Sequence, residues 1–150
     1  MERKAKPSVC SGCGLAVLGG TARCQALAQE MAVRGFSDPA FAGVHRLAHD
    51  TYCLQHPDSF CLSAKSLVAH LTGLCWALEY GGHPTGYRAL QRWLDRTPPS
   101  QKPEMPAFRG ALTIAEVYGA ADAEAHADAV ERWARSTWEA YAALHPVARR

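Results

Sequence analysis

Two cysteines near the beginning of the chain have the spacing of a metal-binding turn. They lie in the segment Cys10-Ser11-Gly12-Cys13-Gly14, which places one glycine between the cysteines and another after them. Two thiolates three positions apart can bind one tetrahedral metal ion, and this spacing is typical of zinc sites. Glycine allows the tight backbone path that brings amide groups close to both sulfurs. Because a structural zinc site has four protein ligands, this turn supplies half of one.

The other two ligands must come from later in the chain. We choose Cys24 as the third ligand and His56 as the fourth, and His49 and Cys53 are alternatives for the fourth position. The weaker candidates for metal ligation are histidine, aspartate and cysteine side chains of the same region: His45, His49, Asp50, Cys53 and His70. In the competing interpretation, the cysteines of the turn are free thiols in an ordinary glycine turn.

Histidine and aspartate side chains of the second and third predicted helices could instead form a catalytic metal site. A metal with an open coordination position, as in a metal-dependent hydrolase, could lie between the second and third predicted helices. Its ligands would be His45, Asp50, His56 and His70. Asp50 could instead orient a histidine, or pair with Arg46 one helical turn away. His45 and His49 have the H-x-x-x-H spacing of zinc-binding helices, but Arg46 replaces the glutamate of the metalloprotease motif, which disfavours a zinc peptidase.

Length and composition describe a protein with a substantial core and no strong electrostatic signature. The chain has 150 residues, 48% of them hydrophobic, and a formal net charge of +2. This length predicts a single domain, and the small net charge gives no strong indication of nucleic-acid binding. No segment has the pattern of a secretory signal or a membrane span, so we expect a cytoplasmic protein whose six cysteines are reduced.

Apolar periodicity and capping residues predict an all-α bundle of five to six helices. The five main helices cover about residues 21–34, 37–55, 63–80, 84–96 and 122–144. We predict Thr21 as the N-cap of the first helix and Gly35 as its end. A sixth, short helix would begin at Thr113, which can form a capping box with Glu116. Residues 1–20 would form a zinc-knuckle-like cap, and residues 97–112 a proline-rich loop.

Short connections between the predicted helices place the candidate ligands near one another. If the first two helices form an antiparallel hairpin, Cys24 faces residues 48–53, and by the same argument His70 lies level with His49. Five side chains would then gather at the end of the bundle that carries the turn: Cys24, His49, Cys53, His56 and His70.

Other histidines and one tryptophan have structural interpretations. His70 and His126 lie on apolar faces and are expected to be hydrogen-bonded core histidines. His83 and His145 stand beside prolines at helix ends, where surface or capping roles are expected. Trp138 is expected to be exposed, where it could form a homodimer contact.

One segment of the predicted second helix resembles a known family. Residues 45–57 read H-R-L-A-H-D-T-Y-C-L-Q-H-P, which is similar to the H-R-L-x-x-D-x-Y-x-x-Q-H-P segment of an uncharacterised bacterial family of small proteins. That family, a domain of unknown function, also has an N-terminal C-P-G-C-G turn, in which this chain has Ser11 instead of proline. The similarity extends through His70, Thr113 and the last helix. It implies a soluble bacterial protein and adds Gln55 to the residues of interest, but it supplies no reaction.

The sequence therefore predicts a small helical domain stabilised by a structural zinc ion, which binds a protein partner or a small ligand. A metal-dependent hydrolase is the first alternative. A thiol redox sensor that uses Cys10 and Cys13 is the second, although the strand-and-helix context of thioredoxin-like sites is missing.

Overall fold

The chain begins with a small β-hairpin that carries the Cys10–Cys13 turn. The computed structural model describes residues 6–96, 99 and 101–149. In it, β1 (Ser8–Val9) pairs antiparallel with β2 (Ala16–Val17), and Ser8 lies opposite Val17. Because each strand has only two residues, the hairpin depends on its contacts with the helices that follow.

Helices make up most of the described chain, which confirms the predicted all-α class. The long helices are α1 (Gly20–Ser37), α3 (His45–Gln55), α5 (Ala64–Tyr80), α6 (Pro84–Arg96) and α8 (Ala123–Ala140). Shorter helices lie between or after them: α2 (Pro39–Ala42), α4 (Pro57–Phe60), α7 (Ile114–Tyr118) and α9 (His145–Ala148). A 3₁₀ helix at Ala142–Leu144 connects the last two helices. Among the described residues, no helix is both long and apolar enough to cross a lipid bilayer.

Capping residues set several helix boundaries where the sequence predicts them. The Ser63 hydroxyl caps the start of α5, and Gly81, with φ 86°, ends that helix. Thr113 and Glu116 form the predicted capping box at the start of α7. Asp122 caps α8 by accepting a hydrogen bond from a backbone amide of the first turn. These side chains accept hydrogen bonds from backbone amides that the start of a helix would otherwise leave unpaired.

The predicted boundaries of the first helix are wrong at both ends. α1 begins at Gly20 rather than at Thr21, and the positive φ angles of Gly19 and Gly20 turn the chain from the hairpin into the helix. At the other end, Gly35 lies inside the helix, buried against the ring of His45. Gly35 therefore permits close helix packing and does not act as a stop.

The predicted helix over residues 37–55 consists of two helices. Gly43 and Val44 separate α2 from α3, and Val44 has φ −110° and ψ 8°, outside the α-helical range. The low helix propensity of glycine favours a break at this point. The predicted last helix is also shorter, because α8 ends at Ala140.

The predicted proline-rich loop connects α6 to α7. Residues 97, 98 and 100 lie outside the described residues, whereas residues 99 and 101–113 contain neither helix nor strand. The division of the chain into one domain with an N-terminal cap stays a prediction.

α3 is central to the fold because it contributes to both hydrophobic clusters. One cluster packs α1, α3, α7 and α8 beneath the Cys10–Cys13 turn and includes Tyr52 and Trp133. The other packs α3 against α5 and α8 and includes Leu54 and Tyr141. All of residues 51–57 are buried. The end of α3 therefore needs internal partners for its polar groups.

Trp138, His126 and His83 agree only in part with what the sequence predicts. Trp138 is only 7% exposed and stacks on the ring of His145, with centroids 3.7 Å apart, so it offers no exposed ring for a homodimer contact. His126 is buried as predicted, but its Nδ1 has no hydrogen-bond partner among the described residues. His83 is exposed and accepts a hydrogen bond from the Thr85 amide, which is the predicted capping role.

A buried glutamine connects the end of α3 to the proline-rich loop and to α8. The amide nitrogen of Gln55 donates to the carbonyls of Arg109 (3.0 Å) and Leu112 (2.7 Å). Its oxygen accepts from Trp133 Nε1 at 2.8 Å. The Arg109 side chain in turn donates to the carbonyl of Gly12 at 2.9 Å. This network fixes the loop against the Cys10–Cys13 turn.

We expect Gln55→Glu to lower the free energy of unfolding by on the order of 3 kcal/mol, because a carboxylate cannot donate to the two buried carbonyls. Urea unfolding followed by circular dichroism measures the change. Gln29→Glu on the exposed face of α1 is the matched control and should change stability by less than about 0.5 kcal/mol. Equal stability of the two variants would show that the Gln55 amide does not hold the loop.

Candidate metal centre

The Cys10–Cys13 turn is a tight loop closed by backbone hydrogen bonds. Cys10 N donates to Leu15 O at 2.8 Å, and Gly14 N donates to Cys10 O at 3.0 Å. Gly14 has φ 80°, a conformation that favours glycine. The backbone amides of Gly12 and Cys13 favour a lower pKa for the Cys10 thiol, and the amide of Leu15 does the same for the Cys13 thiol. The backbone therefore stabilises negative charge on both sulfurs.

The beginning of α1 brings Cys24 beside this turn. Ser11 N donates to Thr21 Oγ1 at 3.0 Å, which joins the turn to the helix. One helical turn further along, Cys24 is fully buried. Its Sγ lies 3.8 Å from Cys13 Sγ and accepts a hydrogen bond from the Tyr52 hydroxyl at 3.7 Å. Cys24 thus contacts Tyr52, which lies within residues 48–53, the part of α3 that antiparallel packing of the first two predicted helices places opposite Cys24.

His56 completes the group from the end of α3. Its backbone, with φ −128° and ψ 55°, leaves the helical conformation, and Pro57 cannot continue the helix. The ring Nδ1 lies 2.7 Å from the carbonyl oxygen of Tyr52, which can only accept, so Nδ1 carries the hydrogen. Nε2 is then free to bind a metal and lies 3.5 Å from Cys10 Sγ and 3.4 Å from Cys24 Sγ. A hydrogen bond of this kind fixes the ring in many metal-binding histidines.

The four candidate ligand atoms have the spacing of the corners of a small tetrahedron. The sulfurs of Cys10, Cys13 and Cys24 and a nitrogen of His56 all lie within 4.8 Å of one another. Tetrahedral zinc, with Zn–S bonds of about 2.3 Å and Zn–N bonds of about 2.0 Å, places two sulfurs about 3.8 Å apart and a sulfur and a nitrogen about 3.5 Å apart. The observed distances of 3.8 Å between two sulfurs and 3.4–3.5 Å from Nε2 to two sulfurs agree with these values.

The pKa values of the three thiols in this group are shifted in different directions. The hydrogen bond from Cys24 is the main reason that the pKa of Cys13 falls to about 4, and the same hydrogen bond together with burial raises the pKa of Cys24. Burial raises the pKa of Cys10, but the nearby backbone amides outweigh it and the net shift is downward. Burial lowers the pKa of His56, but the interactions with Cys13, the Tyr52 carbonyl and Cys10 together outweigh burial, so the net shift is upward. Metal binding would therefore displace protons from the group.

A second group of side chains forms where α3 packs against α5. His49 and Cys53 lie one turn apart on α3, and their ligand atoms come within 4.8 Å of that of His70 on α5. The expected proximity of His70 to His49 is confirmed. The five side chains expected at the end of the bundle that carries the turn divide into two groups, since His49, Cys53 and His70 form one that Cys24 and His56 do not share.

Asp50 holds His70 in place and lies outside both groups. Its carboxylate is fully buried, 2.8 Å from His70 Nδ1 and 3.0 Å from Arg46 Nε. The two alternatives to metal ligation that the sequence suggests, pairing with Arg46 and orienting a histidine, are therefore both present. Gly73 of α5 makes room for the carboxylate, since a side chain there would collide with it.

His45 also lies outside both groups. Its ring packs against Phe36, with centroids 4.2 Å apart, and against Gly35 of α1. The four ligands predicted for a hydrolase, His45, Asp50, His56 and His70, are not brought together in the described structure.

Two residues that hold the candidate ligands were not predicted. Tyr52 hydrogen-bonds to Cys24 and stacks on His56, with ring centroids 3.9 Å apart, and its position one helical turn before His56 is the sequence signal. Gly12 is the other: a side chain there would collide with the His56 ring and approach Gln55 O to 3.0 Å. No sequence signal identifies the contact between Gly12 and His56. The assignment of the four side chains as ligands itself stays a prediction.

We expect Gly12→Ala to displace the His56 ring, because the new methyl group would overlap it. The overlap should lower the free energy of unfolding by about 1–3 kcal/mol. Thermal unfolding and the imidazole NMR signals of His56 measure the two effects. Gly43→Ala is the matched control, because Gly43 has φ −62° and a methyl group there meets nothing within 4 Å. Unchanged His56 signals in Gly12→Ala would contradict the expected contact.

Comparison with known proteins gives one match. The model of the Family of unknown function (DUF5946) matches residues 8–142, a range that contains both groups of side chains. No curated protein and no solved structure matches the chain. The expected membership in an uncharacterised family of unknown function is confirmed by this match, which covers most of the sequence. The protein therefore belongs to the DUF5946 family of unknown function.

Proposed function

We propose that this protein is a helical domain stabilised by one structural zinc ion, and that the domain binds a small ligand. The zinc ligands are Cys10, Cys13, Cys24 and His56. The observation that carries the metal proposal is the agreement between the distances in this group and the edges of a tetrahedral zinc site. Three thiolates and one imidazole leave no open coordination position, which is typical of structural zinc rather than of catalytic zinc.

The position of the ligands in the fold supports a structural role. They come from the β-hairpin, from α1 and from the end of α3, and His56 is 46 positions from Cys10. A metal that joins these three elements would stabilise a hairpin that is too short to be stable by itself. Cys10 and Cys24 are buried, so such an ion would be shielded from solvent on the side of the core.

We expect the purified protein to contain about one tightly bound zinc ion in this site, and a strong chelator to lower its melting temperature. Cys10→Ser and His56→Ala should each weaken zinc binding by more than about 100-fold, since losing even a hydrogen-bond partner of a ligand costs 10–100-fold. Elemental analysis and competition with a zinc-binding dye measure this. Cys75→Ser is the matched control: Cys75 is buried but lies outside the group, and it should keep wild-type affinity. A melting temperature that chelation leaves unchanged would contradict the proposal.

A groove between the proline-rich loop and the end of α8 supports the second part of the proposal. It has a volume of about 490 Å³, within the range of ligand-binding pockets. Met105, Pro106 and Leu144 contribute apolar surface to it, and Glu104 contributes a carboxylate. A small, mostly apolar ligand is the occupant that this lining fits best.

We expect Ala143→Glu to reduce binding of Nile red, a neutral apolar dye, by about tenfold or more, because a carboxylate in the groove must lose water when the dye binds. Fluorescence titration measures the affinity. Ala142→Glu is the matched control, since Ala142 is exposed, neighbours Ala143 in the chain and does not line the groove. Equal dye affinity in the two variants, or no binding by the wild-type protein, would count against the groove as a ligand site.

A hydrolase that uses Asp50 as a metal ligand has less support. Both carboxylate oxygens of Asp50 are engaged, one by Arg46 and the other by His70. A redox sensor would need a disulfide that involves Cys10 or Cys13, and Cys24 Sγ lies 3.8 Å from Cys13 Sγ. Zinc ligation uses the same three sulfurs, so a disulfide between any two of them would require release of the zinc ion.

A further inference from the structure

A second group of metal-ligating side chains, His49, Cys53 and His70, lies between α3 and α5. Two of its members are on successive turns of one helix, which places them on the same face. The third comes from the helix packed against that face. Two imidazoles and one thiolate are ligands that suit zinc and cobalt.

The distances within this second group are those of ligands to one ion. Cys53 Sγ lies 3.6 Å from His49 Nε2, close to the sulfur–nitrogen edge of about 3.5 Å in a tetrahedral zinc site. The rings of His49 and His70 are tilted by 67° with centroids 5.6 Å apart, so they converge without stacking. All three ligand atoms lie within 4.8 Å of one another.

The buried carboxylate of Asp50 fixes the orientation of His70. It lies 2.8 Å from His70 Nδ1, which leaves Nε2 as the nitrogen free to bind a metal. Arg46 Nε, at 3.0 Å, holds the other carboxylate oxygen. A carboxylate behind a histidine is a recurrent feature of metal sites, where it sets the tautomer and makes the imidazole a better ligand. The contacts with Arg46 and His70 offset the free-energy cost of burying the Asp50 carboxylate.

The second group extends from the interior to the surface, whereas the ligands of the proposed zinc site are buried or half-buried. Cys53 is fully buried, the side chain of His70 is 16% exposed, and His49 is exposed. A small cavity of about 40 Å³, lined in part by Met31 and His45, lies beside His49. An ion held by these ligands would therefore be covered by protein on one side and accessible from the other.

We infer that His49, Cys53 and His70 form a second metal site, which binds one zinc or cobalt ion through three protein ligands and keeps a fourth position for water or a small anionic ligand. Three protein ligands and an open position are the arrangement of metal sites that interact with exogenous molecules. The site is distinct from the proposed structural zinc site because it shares no ligand with it.

Metal stoichiometry of the full-length protein tests this inference. Metal-free protein is reconstituted with Co²⁺, and bound cobalt is counted by elemental analysis and by visible absorption. We expect about two ions per wild-type chain and about one per His49→Ala chain. His49 is exposed, so its truncation should leave the fold intact. His83→Ala is the matched control, because His83 is exposed and belongs to neither group, and it should keep the wild-type stoichiometry.

The outcomes separate this inference from the proposed structural site. A single ion that His49→Ala removes would support the second site and contradict the Cys10 site. A single ion that His49→Ala retains, or equal stoichiometry in wild type and His49→Ala, would overturn the second site. Addition of azide, a small anionic probe, should change the visible spectrum of the second ion in wild type and leave the spectrum of His49→Ala unchanged. An unchanged wild-type spectrum would overturn the open coordination position.

Discussion

The fold depends on the need to satisfy polar groups at the buried end of α3. A helix leaves its last carbonyls without partners inside the helix, and residues 51–57 are all buried. The carbonyl of Tyr52 accepts from the His56 ring, and that of Leu54 accepts from the Tyr141 hydroxyl. The Gln55 side chain adds hydrogen bonds to the loop and to α8. The hairpin, the loop and α8 are therefore held at one point by hydrogen bonds.

The same helix end also positions the candidate metal centre. Pro57 stops α3, so His56 leaves the helical path while its ring stays tied to Tyr52. Gly12 lies against that ring, and the carbonyl of Gly12 is bound by Arg109 of the loop. The side chains that complete the hydrophobic core and those that converge on the cysteines are thus adjacent in sequence. A disturbance of the core at this point would reach the metal ligands directly.

The sequence was sufficient for features that depend on local rules. Apolar periodicity and capping residues predicted the all-α class. Antiparallel packing of the first two predicted helices predicted the proximity of Cys24 to residues 48–53. Prediction from the sequence was less successful where a residue departs from helical backbone geometry. His56 lies beside the three cysteines, as the sequence suggested, but the helix argument placed His49, Cys53 and His70 there as well. It did not show that His56 lies beyond the last helical residue, with ψ 55°, and so belongs to a different group from His49. Hydrogen bonds between residues such as Gln55 and Trp133, 78 positions apart, have no signal in a single sequence.

The long sequence separation of the contacts around α3 has a consequence for synthesis on the ribosome. Gly12 and Arg109 are 97 positions apart, and Leu54 and Tyr141 are 87 apart. Because the N-terminal part of a chain emerges first, the cysteines of the hairpin and His56 are available before α8 has been translated. During that interval water must solvate the Leu54 carbonyl, to which the Tyr141 hydroxyl later donates. The thiols of Cys10, Cys13 and Cys24 can therefore approach His56 early in synthesis. Burial of the end of α3 requires residues from the last third of the protein.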